Sequence, residues 1–261
     1  MTDILHTIVE HKRRELAERM ARVPLEEMVA RAGAVRRPTV SMKESLRRSA
    51  SGIIAEFKRR SPSKDWIARD ARPEDVVPAY EREGAAALSI LTDEAFFSGS
   101  ARDIEAVRPL VTLPVLRKDF VVDAYQIYEA RAIGADAVLL IAAVLTPGAC
   151  RDLTRIAHGL GLEVLLEIHS EDELGYVAPE TDMVGVNNRH LGTFHTDVRH
   201  SFALAGRLPS DRPLVSESGI SRPESLRKLR EAGFGGFLIG ETFMKTPDPG
   251  RALRDLIEAS R

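Results

Sequence analysis

Glu56, Lys58, Lys118, Glu167 and Glu217 are ionisable residues lodged in short runs that are otherwise aliphatic. Buried lysines and carboxylates are costly unless they are paired or used. Carboxylates and ammonium groups brought to one place can move protons and stabilise charge that develops during a reaction. Side chains alternate across a strand, so Glu56 and Lys58 share one face while Ala55 and Phe57 take the other. In the run around Glu167, residues Leu165, Glu167 and His169 alternate with apolar Val164, Leu166 and Ile168. If the apolar set meets helices, Glu167 points the other way. The same parity sends Arg117 outward among the helices, where nothing in the sequence supplies it with a purpose.

The elements that position these residues repeat along the chain. Strand-like runs span 52–58, 86–92, 114–119, 137–143, 163–169, 183–188, 213–218 and 236–240. Amphipathic stretches separate them, several opening with Pro-Glu or Pro-Gly pairs at 73–74, 147–148 and 223–224, where proline suits a first helical turn. Eight alternations of strand and helix predict parallel strands joined by right-handed crossovers, an α/β fold. An eighth helix near 248–259 favours a closed (β/α)8 barrel over an open doubly wound sheet, which pattern alone leaves as the alternative. The reading is one domain over 1–261, with a helical extension over 1–51 and a barrel core over 52–261. In the extension, Asp3 is placed to cap a helix whose apolar positions include Ile4, Ile8, Leu16 and Met20, expected to pack on a barrel end.

In such a barrel all five ionisable residues lie on odd-numbered strands, near their carboxyl ends, so they converge at one mouth. Strand seven runs into Ser216-Glu217-Ser218-Gly219 and strand eight into Ile239-Gly240-Glu241-Thr242. Glycines at these two turns let backbone N–H groups approach phosphate oxygens, with Lys58 and Ser61 completing the cradle. A small phosphorylated substrate is the expected ligand.

Composition removes other classes. A net charge of −2 over 261 residues gives no reason to expect nucleic acid. Apolar runs are short and broken by charge, so none suits a bilayer, and the N-terminus has no signal-peptide pattern. The single cysteine, Cys150, fits a reducing compartment and reads as a small buried hydrophobe. His190, His195 and His200 recur every five residues, with Gly192 among them, which aligns them on no helix face and argues against a metal site. There is no P-loop.

Ordered motifs add a resemblance. Residues 55–64 (AEFKRRSPSK), Leu91-Thr92-Asp93, 96–100 (FFSGS), 116–120 (LRKDF), 166–169 (LEIH), 185–189 (GVNNR), 216–220 (SESGI) and 238–241 (LIGE) resemble those of indole-3-glycerol phosphate synthases, across essentially the whole chain. The resemblance implies a single TIM barrel with extra N-terminal helices. It also implies a lyase of tryptophan biosynthesis that closes, decarboxylates and dehydrates 1-(2-carboxyphenylamino)-1-deoxyribulose 5-phosphate. It makes Lys118 the acid that protonates the ketone, and Glu167 and Glu56 the carboxylates that stabilise the cationic intermediate. Lys58 or Lys118 serves as acid in dehydration, with a carboxylate as base. Asn187, Arg189 and Ser218 fall near the substrate carboxylate, and Phe97, Phe120 and Leu139 around its ring. Lys58, Gly219, Gly240 and Glu241 match the phosphate positions, Glu241 through its backbone N–H alone, with its side chain expected to point away. No metal or organic cofactor is implied.

One departure stands out. The family often has glycine after Ser-Pro-Ser-Lys, whereas Asp65 and Trp66 follow here. Asp accepts positive φ less freely than Gly, which leaves the path of this loop open. The loop is a candidate lid, with Trp66 either a reporter of its closure or a packing residue. Rival readings are a phosphoribosylanthranilate isomerase-like barrel, disfavoured because the only cysteine falls in a helix, and a barrel that only binds a phosphorylated ligand. The expected setting is cytoplasmic, as a monomer or weak homo-oligomer.

Overall fold

The computed structural model describes residues 4–190 and 195–261, so Asp3 and Gly192 lie outside the described residues. Eight strands form the barrel: β1 (Ile53–Phe57), β2 (Ala87–Leu91), β3 (Val115–Lys118), β4 (Ala137–Ile141), β5 (Glu163–Ile168), β6 (Met183–Asn187), β7 (Leu214–Glu217) and β8 (Gly236–Ile239). Each pairs in parallel with its sequence neighbours, and β8 closes onto β1 through Ile53↔Phe237 and Ala55↔Ile239. The open-sheet alternative is thereby removed.

Alternation along the strands builds two apolar layers. Ile53, Phe57, Val115, Val138 and Phe237 face the helices, while Ile54, Leu116, Leu139, Leu165, Met183 and Leu238 fill the barrel. The expected prolines open the helices Pro73–Arg82, Pro147–Gly159 and Pro223–Glu231, and the last helix is Pro249–Ala259 with Asp248 as its cap. Cys150 is a buried residue of the second of these helices, and burial pushes its thiol pKa up.

Three helices precede the barrel: α1 (Ile4–Arg22), α2 (Leu25–Ala34) and α3 (Met42–Arg48). The last seals the amino end, where Ser41 Oγ donates to Glu163 Oε1 at 2.6 Å and Ser45 Oγ to the Ala86 carbonyl at 2.5 Å. At the opposite end α1 lies across the carboxyl mouth. It buries Ile8, Lys12 and Leu16, one residue per turn along one face. The stripe of Ile4, Ile8, Leu16 and Met20 therefore has a fifth member, and it is a lysine.

Arg117 does point outward, and the helix layer supplies its partners. Fully buried, it reaches Glu129 Oε2 at 2.6 Å, Asp119 Oδ2 at 3.1 Å, Thr92 Oγ1 at 3.1 Å and the Gln126 carbonyl at 2.9 Å. Every arm of the guanidinium is used, which is what such a burial requires.

Candidate active site

The expected convergence at the carboxyl mouth is present. A cavity of about 570 Å3 opens there, and Glu56, Lys58, Lys118, Glu167 and Glu217 all border it. Lys118 Nζ lies 3.2 Å from Glu167 Oε2 and 3.6 Å from Glu217 Oε2. Lys58 Nζ lies 2.7 Å from Glu56 Oε1. Asn187 Nδ2 donates to Glu167 Oε1 at 3.1 Å, and His169 Nε2 is 3.2 Å from the same oxygen.

This crowding decides where protons sit. Burial alone would lower the Lys118 pKa, but Glu167, Glu217 and Glu56 outweigh it and hold the ammonium form firmly. Burial alone would raise the Glu167 pKa; Lys118, His169 and Asn187 overcome it and keep the group ionised. Glu217 goes the other way. Burial and the neighbouring Glu167 charge push its carboxyl well above the usual range, because one ammonium cannot neutralise both acids. Of the two acids, Glu217 is thus the one pushed toward its neutral form.

Room for Glu217 is made by the adjacent strand. A Cβ on Gly185, which pairs with Val215 two residues before this acid, would collide with Glu217 Oε1, so the glycine leaves the carboxylate its place. Gly240 has a similar reason. A Cβ there would stand 2.6 Å from Glu56 Oε1 and 3.0 Å from Glu56 Cβ. Its lack of a side chain thus serves the carboxylate of β1 as well as any ligand at the turn.

The walls divide by chemistry. Phe97, Phe120 and Leu139 border one side, with the two rings 6.1 Å apart and inclined by 38°. The turns after β7 and β8 border the other, through Ser218, Gly219, Gly240 and Glu241. Ser218 and Gly219 both adopt left-handed backbone, at φ of 68° and 75°. A serine in that region is strained, and Asn188 holds it there by donating to the Ser218 carbonyl at 3.1 Å. Arg189 crosses the mouth to Ser63 Oγ at 3.0 Å and approaches Glu241 Oε2 at 3.5 Å. The Glu241 carboxylate is thus drawn toward Arg189 and, at 4.0 Å, toward Lys64.

Ser61 is not among the residues that border the cavity. Its side chain is buried outside the cavity wall, and Pro62, Ser63 and Lys64 face the cavity in its place. The cause is a tight antiparallel pairing of Arg60–Ser61 with Asp65–Trp66, which turns Ser61 inward. Asp65 has φ of 55°, a left-handed backbone that glycine adopts more freely than aspartate. Trp66 is half exposed, stacked beneath Arg69 at 4.9 Å and Arg60 at 5.8 Å.

The sequence reading missed the contribution of α1. Ile4, Leu5 and Ile8 border the cavity on the side of Phe97 and Phe120. One turn further, Lys12 is 1% exposed and contacts Asp93 Oδ2 at 2.9 Å, Asp119 Oδ1 at 3.0 Å and Glu15 Oε2 at 3.0 Å. The signal was available: Lys12 occupies the vacant step of the 4, 8, 16, 20 stripe. Cys150 does not border the cavity, which removes the thiol that an isomerase-like reading requires.

Solved structures share the fold. The tryptophan synthase alpha subunit of Legionella pneumophila aligns with a TM-score of 0.62 at 14% identity, covering 84% of this chain and 97% of that one. A tryptophan synthase structure from Pyrococcus furiosus gives 0.58 at 15% identity, over 80% and 97%. Sequence relatives are much nearer. Indole-3-glycerol phosphate synthase of Bacteroides thetaiotaomicron is 58% identical over 259 residues, 99% of both chains. That of an Azoarcus species is 46% identical over 264 residues, 98% of this chain and 99% of that one. The family model for indole-3-glycerol phosphate synthase matches residues 5–256. With motifs, fold and near-complete coverage in agreement, the chain belongs to the indole-3-glycerol phosphate synthase family.

Proposed function

We propose that this protein catalyses the family reaction, converting 1-(2-carboxyphenylamino)-1-deoxyribulose 5-phosphate to indole-3-glycerol phosphate, carbon dioxide and water. The observation that carries the reading is Lys118, an ammonium held between Glu167 and Glu217 inside the cavity, with an aromatic wall on one side and glycine turns on the other.

The ring carbon that bears the carboxylate attacks the ketone carbon, and the ketone oxygen takes the Lys118 proton as the bond forms. Positive charge spreads over the ring and its nitrogen, facing the ionised Glu167 and Glu56. Carbon dioxide leaves, and the electron pair of the broken carbon–carbon bond returns to the ring. The new hydroxyl then departs as water with a proton from Lys58 or Lys118, while a carboxylate removes the proton that completes the indole. The ring closure itself creates the electron sink for decarboxylation, so this route asks for neither metal nor organic cofactor.

Asn187, Arg189 and Ser218 suit the substrate carboxylate, and Phe97, Phe120 and Leu139 its ring. Backbone N–H groups at Gly219, Gly240 and Glu241, with Lys58, suit the phosphate. We take the working form to be a cytoplasmic monomer or weak homo-oligomer; no helix among the described residues is long and apolar enough to cross a membrane. Purified protein given this substrate is expected to release one carbon dioxide per indole, followed by indole fluorescence. Well-folded protein that forms no indole would contradict the proposal and favour a barrel that only binds a phosphorylated ligand.

A further inference from the structure

Lys12 belongs to none of the groups that face the reacting atoms, yet it is a buried ammonium close behind them. Its two partners beyond α1 have something in common. Asp93 Oδ1 accepts from the Phe96 N–H at 2.8 Å, capping the short helix Glu94–Phe97 that carries Phe97. Asp119 Oδ1 accepts from the Phe120 N–H at 2.8 Å. Each carboxylate therefore fixes the backbone of a segment that delivers one ring to the cavity wall, and Lys12 holds both at 2.9 and 3.0 Å.

The two acids differ in their other support. Asp119 is also held by Arg117 Nη2 at 3.1 Å and by Thr92 Oγ1 at 2.8 Å. For Asp93, Lys12 is the ammonium in contact. His11, next along α1, meets Phe96 edge to face at 5.5 Å, so helix and loop are joined at two points. One turn before Lys12, Ile8 borders the same cavity with Leu5 and Ile4. A single helix thus supplies part of the apolar wall and clamps the two loops that supply its rings.

We infer that Lys12 is a positioning residue for recognition of the substrate's aromatic ring, locking α1, the Phe97 loop and the Phe120 loop into one wall. The inference rests on the proposed placement of the ring at Phe97 and Phe120. It assigns Lys12 no contact with substrate and no proton transfer. Its effect should fall on binding of the ring half and leave the phosphate half alone, because the turns after β7 and β8 lie on the other side of the cavity.

The test uses Lys12→Met and, since that change strands a buried Asp93 charge, the double variant Lys12→Met/Asp93→Asn. Asparagine keeps the oxygen that caps Phe96 and removes the charge. Two probes separate the halves of the site as competitive inhibitors: anthranilate for the ring and inorganic phosphate for the other end. The expected result in a folded variant is a rise of tenfold or more in both the substrate KM and the anthranilate inhibition constant. The phosphate constant should stay within about twofold, and kcat should fall less than KM rises.

Unchanged anthranilate inhibition, or equal weakening of both probes, would overturn the inference in favour of a purely structural pair. Failure of both variants to fold would overturn it too, by making the contact a requirement of the fold. Wild-type protein that turns over substrate but is not inhibited by anthranilate would instead overturn the ring placement itself.

Discussion

Two acids of the same type and similar burial face Lys118, and their surroundings push their pKa values in opposite directions. Glu167 has an ammonium, an amide and an imidazole around it and stays ionised. Glu217 has the desolvation and the repulsion, which push it toward its neutral form. Replacing each by glutamine separates the roles. Glu217→Gln imposes the neutral form that these surroundings favour, in nearly the same shape, so kcat/KM is expected to fall less than tenfold. Glu167→Gln removes the charge opposite the developing cation and is expected to cost a hundredfold or more. Steady-state kinetics at neutral pH checks both, and equal losses would contradict the assignment. Little about Gly185 and Gly240 was legible in the sequence, because their need for hydrogen as a side chain comes from Glu217 and Glu56 on neighbouring strands. Such reasons are set by closure of the barrel, and no local pattern encodes them.

At the level of elements, α1 is joined to the barrel by charge as well as by apolar contact. Lys12, Arg19 and Arg117 interleave with Glu15, Asp93, Asp119 and Glu129 beneath it. Burial would raise the Asp119 pKa, but Lys12 and Arg117 prevail and lower it from 3.8 to about 2. Because the folded value lies below the unfolded one, Asp119 adds stability that is complete above about pH 4. That contribution, about 2 kcal/mol, is lost as pH falls through 2. Urea unfolding between pH 6 and pH 2 should show wild type losing about that much more than Asp119→Asn; parallel curves would contradict the pairing. The sequence showed Asp93 and Asp119 only as members of family-like motifs, and Lys12 only as a gap in an apolar stripe. What joins them is a contact spanning more than eighty residues of chain, which periodicity does not register.

For the whole molecule, the alternation of strands and helices carried most of the information. Parity along β1, β3, β5 and β7 sent Glu56, Lys118, Glu167 and Glu217 to one mouth, and closure through Ile53↔Phe237 brought β1 beside β8. The eight strands fell within two residues of their expected bounds, since each is a short apolar run bracketed by polar turns. The loop after β1 was harder. Its short hairpin, which turns with Asp65 in left-handed backbone, leaves Ser61 off the cavity wall and Ser63 against Arg189. The same fold appears in the tryptophan synthase alpha subunits at low identity, so the barrel by itself says little of the chemistry. The chemistry rests on what stands at the mouth, and there Lys118 is central.

The most direct measurement is therefore turnover of the carboxyphenylamino-deoxyribulose phosphate by Lys118→Ala beside wild type, with binding of a reduced, unreactive substrate analogue measured on both. Loss of an acid that acts in ring closure predicts a fall in kcat of a hundredfold to ten-thousandfold, on the order expected for general acid catalysis, while the analogue binds within a few-fold of wild type. Turnover by the variant at a rate near that of wild type would contradict the assignment of Lys118 as the principal acid.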